Sequence, residues 1–268
     1  MPYLKYLAYE LDQFANEETR RLIINLPPAH LKTPLGSVSL AAWMLAHDPT
    51  PKVILVTHAE HLSKAIARNI LAILEAPWFE QAFETRIKKG HAEVTDFGTT
   101  SGGGIFVTSF HGRFIGRRAD VILVDDPHDI ADEHEQIEST IETFSTVLMS
   151  RLNDRKTGRV LVVAHRVYKR DLSTQLMQKR RWKRVVLPLI APKIRPTKPR
   201  SGIGLGARAS FCARTYMIWK ILRNCARVPS IPTLRCSINR TMTSRPCPRS
   251  EPITSSPFSG RCRPGRLC

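Results

Sequence analysis

The sequence predicts an α/β fold, a mainly parallel sheet covered by helices on both faces. Three observations lead there. Short apolar runs rich in branched residues recur at Leu22–Leu26, Val53–Thr57, Val121–Val124 and Val160–Val163. Stretches with apolar residues at helical spacing separate them. The runs are apolar throughout instead of alternating with polar residues, as in strands buried on both faces.

The elements follow in order. Tyr3 to Glu18 carries Leu4, Leu7, Leu11 and Phe14 at helical spacing and predicts a short helix. Leu22–Leu26 is the first strand, ended by Pro27-Pro28, which cannot donate to a sheet ladder. Gly36 to His47 has helical spacing, and His47-Asp48-Pro49-Thr50-Pro51 is a turn. Val53–Thr57 is a strand. Ala59–Leu74 is a helix with Leu62, Ile66, Ile70 and Ile73 on one face, ended by Pro77-Trp78-Phe79. Residues 92–97 and 105–110 predict two strands of a hairpin joined by the Gly/Thr/Ser loop Gly98–Gly104. A second phosphate loop is the alternative there, but no Lys-Ser/Thr pair follows. Val121–Val124 ends in Asp125-Asp126-Pro127, and Ile130 to Leu152 predicts one long helix, acidic in its early turns. Val160–Val163 runs into Ala164-His165-Arg166; Asp171–Gln178 is helical, and Val185–Leu187 is a last strand.

In such sheets ligands lie at the carboxyl ends of the strands. Strand, tight loop, Lys32-Thr33 and helix is the layout of a phosphate-binding loop. Backbone N–H groups face the anion, the lysine supplies a point charge and the hydroxyl holds Mg²⁺. The loop residues Pro28, Ala29, His30, Leu31, Lys32 and Thr33 are candidates to hold ATP. The usual glycines are absent, and Leu31 stands directly before Lys32. Taken alone, the stretch also reads as a Pro-rich turn with a surface lysine. Asp125, ending an apolar strand, fits an aspartate that holds Mg²⁺ together with Thr33. Asp126 stands where a glutamate often orients the attacking water, with Glu133 and Glu135 as lesser substitutes. The alternative for Asp125-Asp126-Pro127 is a turn with a helix cap. Arg166 is the candidate for transition-state charge, against a surface arginine. The catalytic candidates are thus Lys32, Asp126 and Arg166.

From about Arg20 to about Leu189 the chain resembles the ATPase domain of the large terminase subunit of tailed bacteriophages. Arg21–Thr33 resembles that family's deviant Walker A segment, and Ala42–Pro49 the stretch after it. Gly116–Pro127 resembles its Walker B segment; Ser150–Asp154 is also similar, and the Arg166 strand end is similar to its coupling motif. Three positions depart: Ala29 stands where an arginine is frequent, Leu31 where a glycine is, and His165 where a glutamine is common. The resemblance implies a P-loop NTPase-like fold and a Mg²⁺-dependent ATPase. It implies a motor driving double-stranded DNA into a procapsid, with a small terminase subunit and a portal as partners and an oligomer on the portal. It also implies a place in the bacterial host cytoplasm. The rival is a nonenzymatic, truncated or frameshifted remnant that at most binds nucleotide or DNA. A helicase-like ATPase would show further nucleic-acid motifs after the last strand.

Residues 1–192 carry 25 Lys+Arg and 22 Asp+Glu, whereas residues 193–268 carry 16 and 1. All six cysteines lie in the second part, with no Cys-x-x-Cys pair. The first part is therefore expected to be the ATPase domain, and the second a basic Cys/Pro/Arg-rich tail that forms no domain. A frameshift near Lys193 accounts for the change; a disordered DNA-binding tail is the alternative. After Asp171 the only acidic residue is Glu251, so the carboxylates of a two-metal nuclease are not expected here. No signal segment or membrane-length apolar run is apparent in the sequence.

Overall fold

The computed structural model describes residues 2–90, 93–112, 114 and 116–188; the basic tail expected after residue 192 lies outside them. A seven-stranded sheet organises these residues. In chain order the strands are β1 (Arg21–Asn25), β2 (Lys52–Thr57), β3 (Asp96–Gly98), β4 (Gly104–Ser109), β5 (Val121–Asp125), β6 (Arg159–Ala164) and β7 (Lys183–Val186). Their spatial order is β3-β4-β2-β5-β6-β1-β7, and every pairing is parallel except the β3–β4 hairpin. The helices are α1 (Pro2–Ala15), α2 (Leu40–His47), α3 (Glu60–Leu74), α4 (Pro77–Ala82), α5 (His134–Glu142) and α6 (Leu172–Met177).

The period of two along each strand divides the core into two layers. Leu22 and Ile24 of β1, Val53 and Leu55 of β2, Val121 and Leu123 of β5, and Leu161 and Val163 of β6 face one layer. Leu7, Leu11 and Phe14 of α1, most of α2, and Ile66, Ile70 and Ile73 of α3 complete it. Ile23, Ile54, Val56, Ile122, Val124, Val160 and Val162 face the other layer, with Phe144, Leu148, Leu172 and Leu176. Burial on both faces is why these strands read as unbroken apolar runs.

Four elements differ from the sequence expectation. The helix after Thr33 begins as a wider π-helical segment, Pro34–Ser39, before α2. Gly36 lets it approach the sheet, since a Cβ there would lie 2.7 Å from Val163 Cγ2. Pro77 does not simply end α3; at the first position of α4 its missing N–H costs nothing. The hairpin strand β3 is three residues long. The long helix expected from Ile130 starts only at His134, after Gln136 Oε1 accepts the Glu133 N–H at 2.8 Å. It then passes through a π-helical turn at Thr143–Val147 and a 3₁₀ turn at Leu148–Arg151. The Gly98–Gly104 loop joins a hairpin at the amino ends of β2 and β4, where Lys52 pairs with Gly104. That is the opposite edge of the sheet from the carboxyl ends where a ligand would sit. Among the described residues, no helix is long and apolar enough to cross a membrane.

Candidate functional site

Parallel register brings the carboxyl ends of β1, β6 and β5 to one edge. Asn25 pairs with Ala164, and Val163 with Asp125. The segment after β1 must turn at once into the helix beginning near Lys32, and its backbone is unusual. Ala29 and Leu31 have φ of 61° and 60°, the left-handed region that glycine occupies freely. Pro28 and Ala29 form a turn that aims the His30 N–H back at the Pro27 carbonyl, whereas among the described residues the N–H groups of Ala29 and Leu31 donate no backbone hydrogen bond. His30 Nδ1 donates to the Pro28 carbonyl at 2.7 Å and holds the turn. Leu31 accepts the Leu35 N–H at 3.0 Å and so opens the helix.

Lys32 is 8% exposed, and its ammonium donates to both oxygens of Asp126, at 2.7 and 2.5 Å. His165, just past β6, closes this pair. Its N–H donates to Asp126 Oδ1 at 3.1 Å, and its Nδ1 lies 3.0 Å from both Lys32 Nζ and Asp126 Oδ1. Bare, Nδ1 accepts from the lysine; protonated, it donates to the carboxylate. Asp126 itself has φ 42°, a strained backbone at the centre of the cluster. His58, following β2, donates from Nδ1 to the Asp126 carbonyl at 3.1 Å.

Asp125 shares the parity of Val121 and Leu123, so it points into the layer holding the Pro34–Ser39 segment. It is 3% exposed, and its Oδ1 has no hydrogen-bond partner among the described residues; neither has Ser37 Oγ. Burial foremost, and then the neighbouring Asp126 charge, push its carboxyl up to about 7. The Thr33 and Ser37 hydroxyls and the Lys32 charge act in the opposite direction. A buried carboxylate with an unpartnered oxygen beside two hydroxyls is a donor set of the hard, oxygen-only kind that Mg²⁺ takes.

Arg166 is turned away from this cluster. Its Nε lies 3.4 Å from Asp171 Oδ2, and the side chain is 43% exposed. Asp171 caps α6, accepting from Thr174 N and Oγ1 at 2.7 Å each. Glu133 and Glu135 stand exposed at the start of α5. The structure thus brings together Lys32, Thr33, Asp125 and Asp126 and leaves Arg166 outside. Sequence reasoning grouped His165 with Arg166 at a strand end but did not place His58 or Ser37 in the site. His58 directly follows a strand's last residue, and that position was the available signal.

A parallel sheet with one strand, β6, between the lysine-loop strand and the double-aspartate strand makes this a P-loop NTPase-like α/β protein. The crystal structure of the HK97 bacteriophage large terminase is similar to 80% of this chain, with a TM-score of 0.44 and 13% identity; the chain spans 44% of that one's length. No protein-family model and no curated protein matches the chain in sequence.

Proposed function

We propose that this chain is a Mg²⁺-dependent ATPase, the motor domain of a packaging terminase large subunit that drives double-stranded DNA into a procapsid. One observation carries the chemistry: Lys32, which follows β1, and Asp125-Asp126, the last residue of β5 and the one after it, meet at the same edge of the sheet. The motif order from Arg21 to Arg166 carries the resemblance to terminases.

The roles follow from the geometry. The N–H groups of Ala29 and Leu31 and the Lys32 ammonium would receive the phosphates. Thr33 and Asp125 would hold Mg²⁺, which when bound neutralises charge on the phosphate oxygens. Asp126 would orient the attacking water, and for that it must release Lys32. His165 then keeps the carboxylate in place through its own N–H. Arg166 would have to leave the buried Asp171 carboxylate to reach the phosphates, so its swing carries a cost that the bound nucleotide must offset.

Phosphate release from ATP by the full chain, abolished by Lys32→Ala, is the expected result. An inactive parent protein would sink the proposal. The closed Lys32–Asp126 pair favours one second reading, a nonenzymatic remnant; its signature is nucleotide binding without hydrolysis. The small terminase subunit and the portal would be the partners of the first reading, with the chain oligomeric on the portal.

A further inference from the structure

The amino ends of β6, β1 and β7 lie side by side at the edge of the sheet opposite Lys32. Basic residues lead into each strand: Arg155 and Lys156 before β6, Arg20 and Arg21 at β1, Arg181 and Lys183 at β7. Together they line an open groove of about 580 Å³ whose single acid is Glu18. Among the described residues, no carboxylate lies within ion-pair distance of Arg20, Arg21, Arg155 or Arg181; Lys183 alone of the six is paired, with Glu10 at 2.5 Å.

The guanidinium groups are held by the backbone instead. Arg20 donates to the Lys156 carbonyl at 3.1 Å. Arg21 donates to the carbonyls of Arg155 at 3.0 Å and Arg20 at 2.9 Å, and also to that of Gly158. Burial foremost, then Arg181 and Arg20, lower the Arg21 pKa. The Arg20, Arg21 and Arg181 charges are thus held close together, with none of the three in an ion pair among the described residues.

We propose that this groove binds the phosphate backbone of double-stranded nucleic acid without reading its bases. Four of the six basic residues are arginines, whose planar forks match phosphate oxygens. Neighbouring strands stand about 4.8 Å apart, so the three strand ends span about 10 Å. That is wide enough for adjacent phosphates of one strand. Single strands are gripped by stacking on aromatic rings, and the groove is lined by none. The site is independent of the ATPase reading, because it stands at the other end of the sheet and needs no nucleotide.

The test is binding of the full chain to a fluorescent 30-base-pair duplex without nucleotide, over a range of salt concentrations. Residues 193–268 add the same 16 Lys+Arg to every variant, so differences between variants carry the result. Arg155→Ala with Arg181→Ala is expected to make the slope of log affinity on log salt shallower by about 2, one for each lost phosphate contact. Arg68→Ala with Arg170→Ala, exposed and outside the groove, removes the same charge and is expected to leave the slope unchanged. An unchanged slope in the groove variant would overturn the proposal, as would an equal loss in the control. Tighter binding to a single strand of the same length, or to anionic phosphatidylserine vesicles in place of duplex, would also overturn it.

Discussion

The Lys32 ammonium closes on the Asp126 carboxylate across 94 positions of sequence, 2.7 Å from Oδ1 and 2.5 Å from Oδ2. Any phosphate that takes the lysine must displace a carboxylate that already neutralises it. Asp126→Asn removes that competitor and the proposed water-orienting group at once. The expected outcome is ATP binding at least as tight as in the parent, with hydrolysis lowered by about 100-fold or more. Filter binding and phosphate release measure the two separately. Parent-rate hydrolysis would show that another residue orients the water.

Asp125 makes stability depend on pH in a direction opposite to that of most carboxylates. Its folded carboxyl holds a proton up to about pH 7, whereas the unfolded chain releases it near the ordinary value of 3.8. Between those limits the native state binds more protons, so this group's contribution falls as pH rises and is flat above about pH 7. The full loss is roughly 4 kcal/mol from the two pKa values. Asp125→Asn cannot ionise and is expected to be more stable than the parent at pH 8, with the gap closing toward pH 4. Urea midpoints at pH 5, 6, 7 and 8 check this; parallel curves would contradict it.

Ala29 and Leu31 stand in the left-handed region, but their side chains differ in use. Ala29 is exposed, whereas Leu31 packs partly against the core. Ala→Gly at an ordinary φ costs about 0.5–1 kcal/mol, but a left-handed L-residue already carries a strain of roughly 1–2 kcal/mol. Ala29→Gly is therefore expected to leave the melting temperature unchanged or raise it. Leu31→Gly also loses apolar contacts and is expected to gain less. Calorimetry on the two variants decides, and a clear loss at position 29 would count against the strained turn.

Gly36 and Val163 form a steric pair. Gly36→Ala places a methyl 2.7 Å from Val163 Cγ2 and is expected to cost about 1–3 kcal/mol by overpacking. In a Val163→Ala background the cost of the same substitution should shrink. A double-mutant cycle by urea denaturation measures the coupling, and additive effects would show that the helix is spaced by something else.

The sheet was legible because each central strand is buried on both faces and shows as an unbroken apolar run. Lys32 and Asp125-Asp126 were legible because each follows such a run. The side-chain orientations were not. His165 and Arg166 both follow β6, and successive residues of an extended chain point opposite ways. Nothing in the pattern says which one faces Lys32, and the structure places His165 there. The break of the long helix after Glu142 was equally hidden, since π-helical and 3₁₀ turns keep nearly the same apolar spacing. The Pro34–Ser39 segment depends on Gly36 meeting Val163, a contact between residues far apart in the chain.

The position of β1 between β6 and β7 has a consequence for synthesis. Asn25 waits for Ala164, 139 positions later, before it finds its neighbour in the sheet. At about 5–20 residues per second, a ribosome takes roughly 7–28 s to make that stretch. Through that interval Leu22–Leu26 leaves the tunnel as an apolar segment with both edges unpaired. The strand leading to the lysine is thus made well before the strands that enclose it, and through that interval it is open to nascent-chain chaperones.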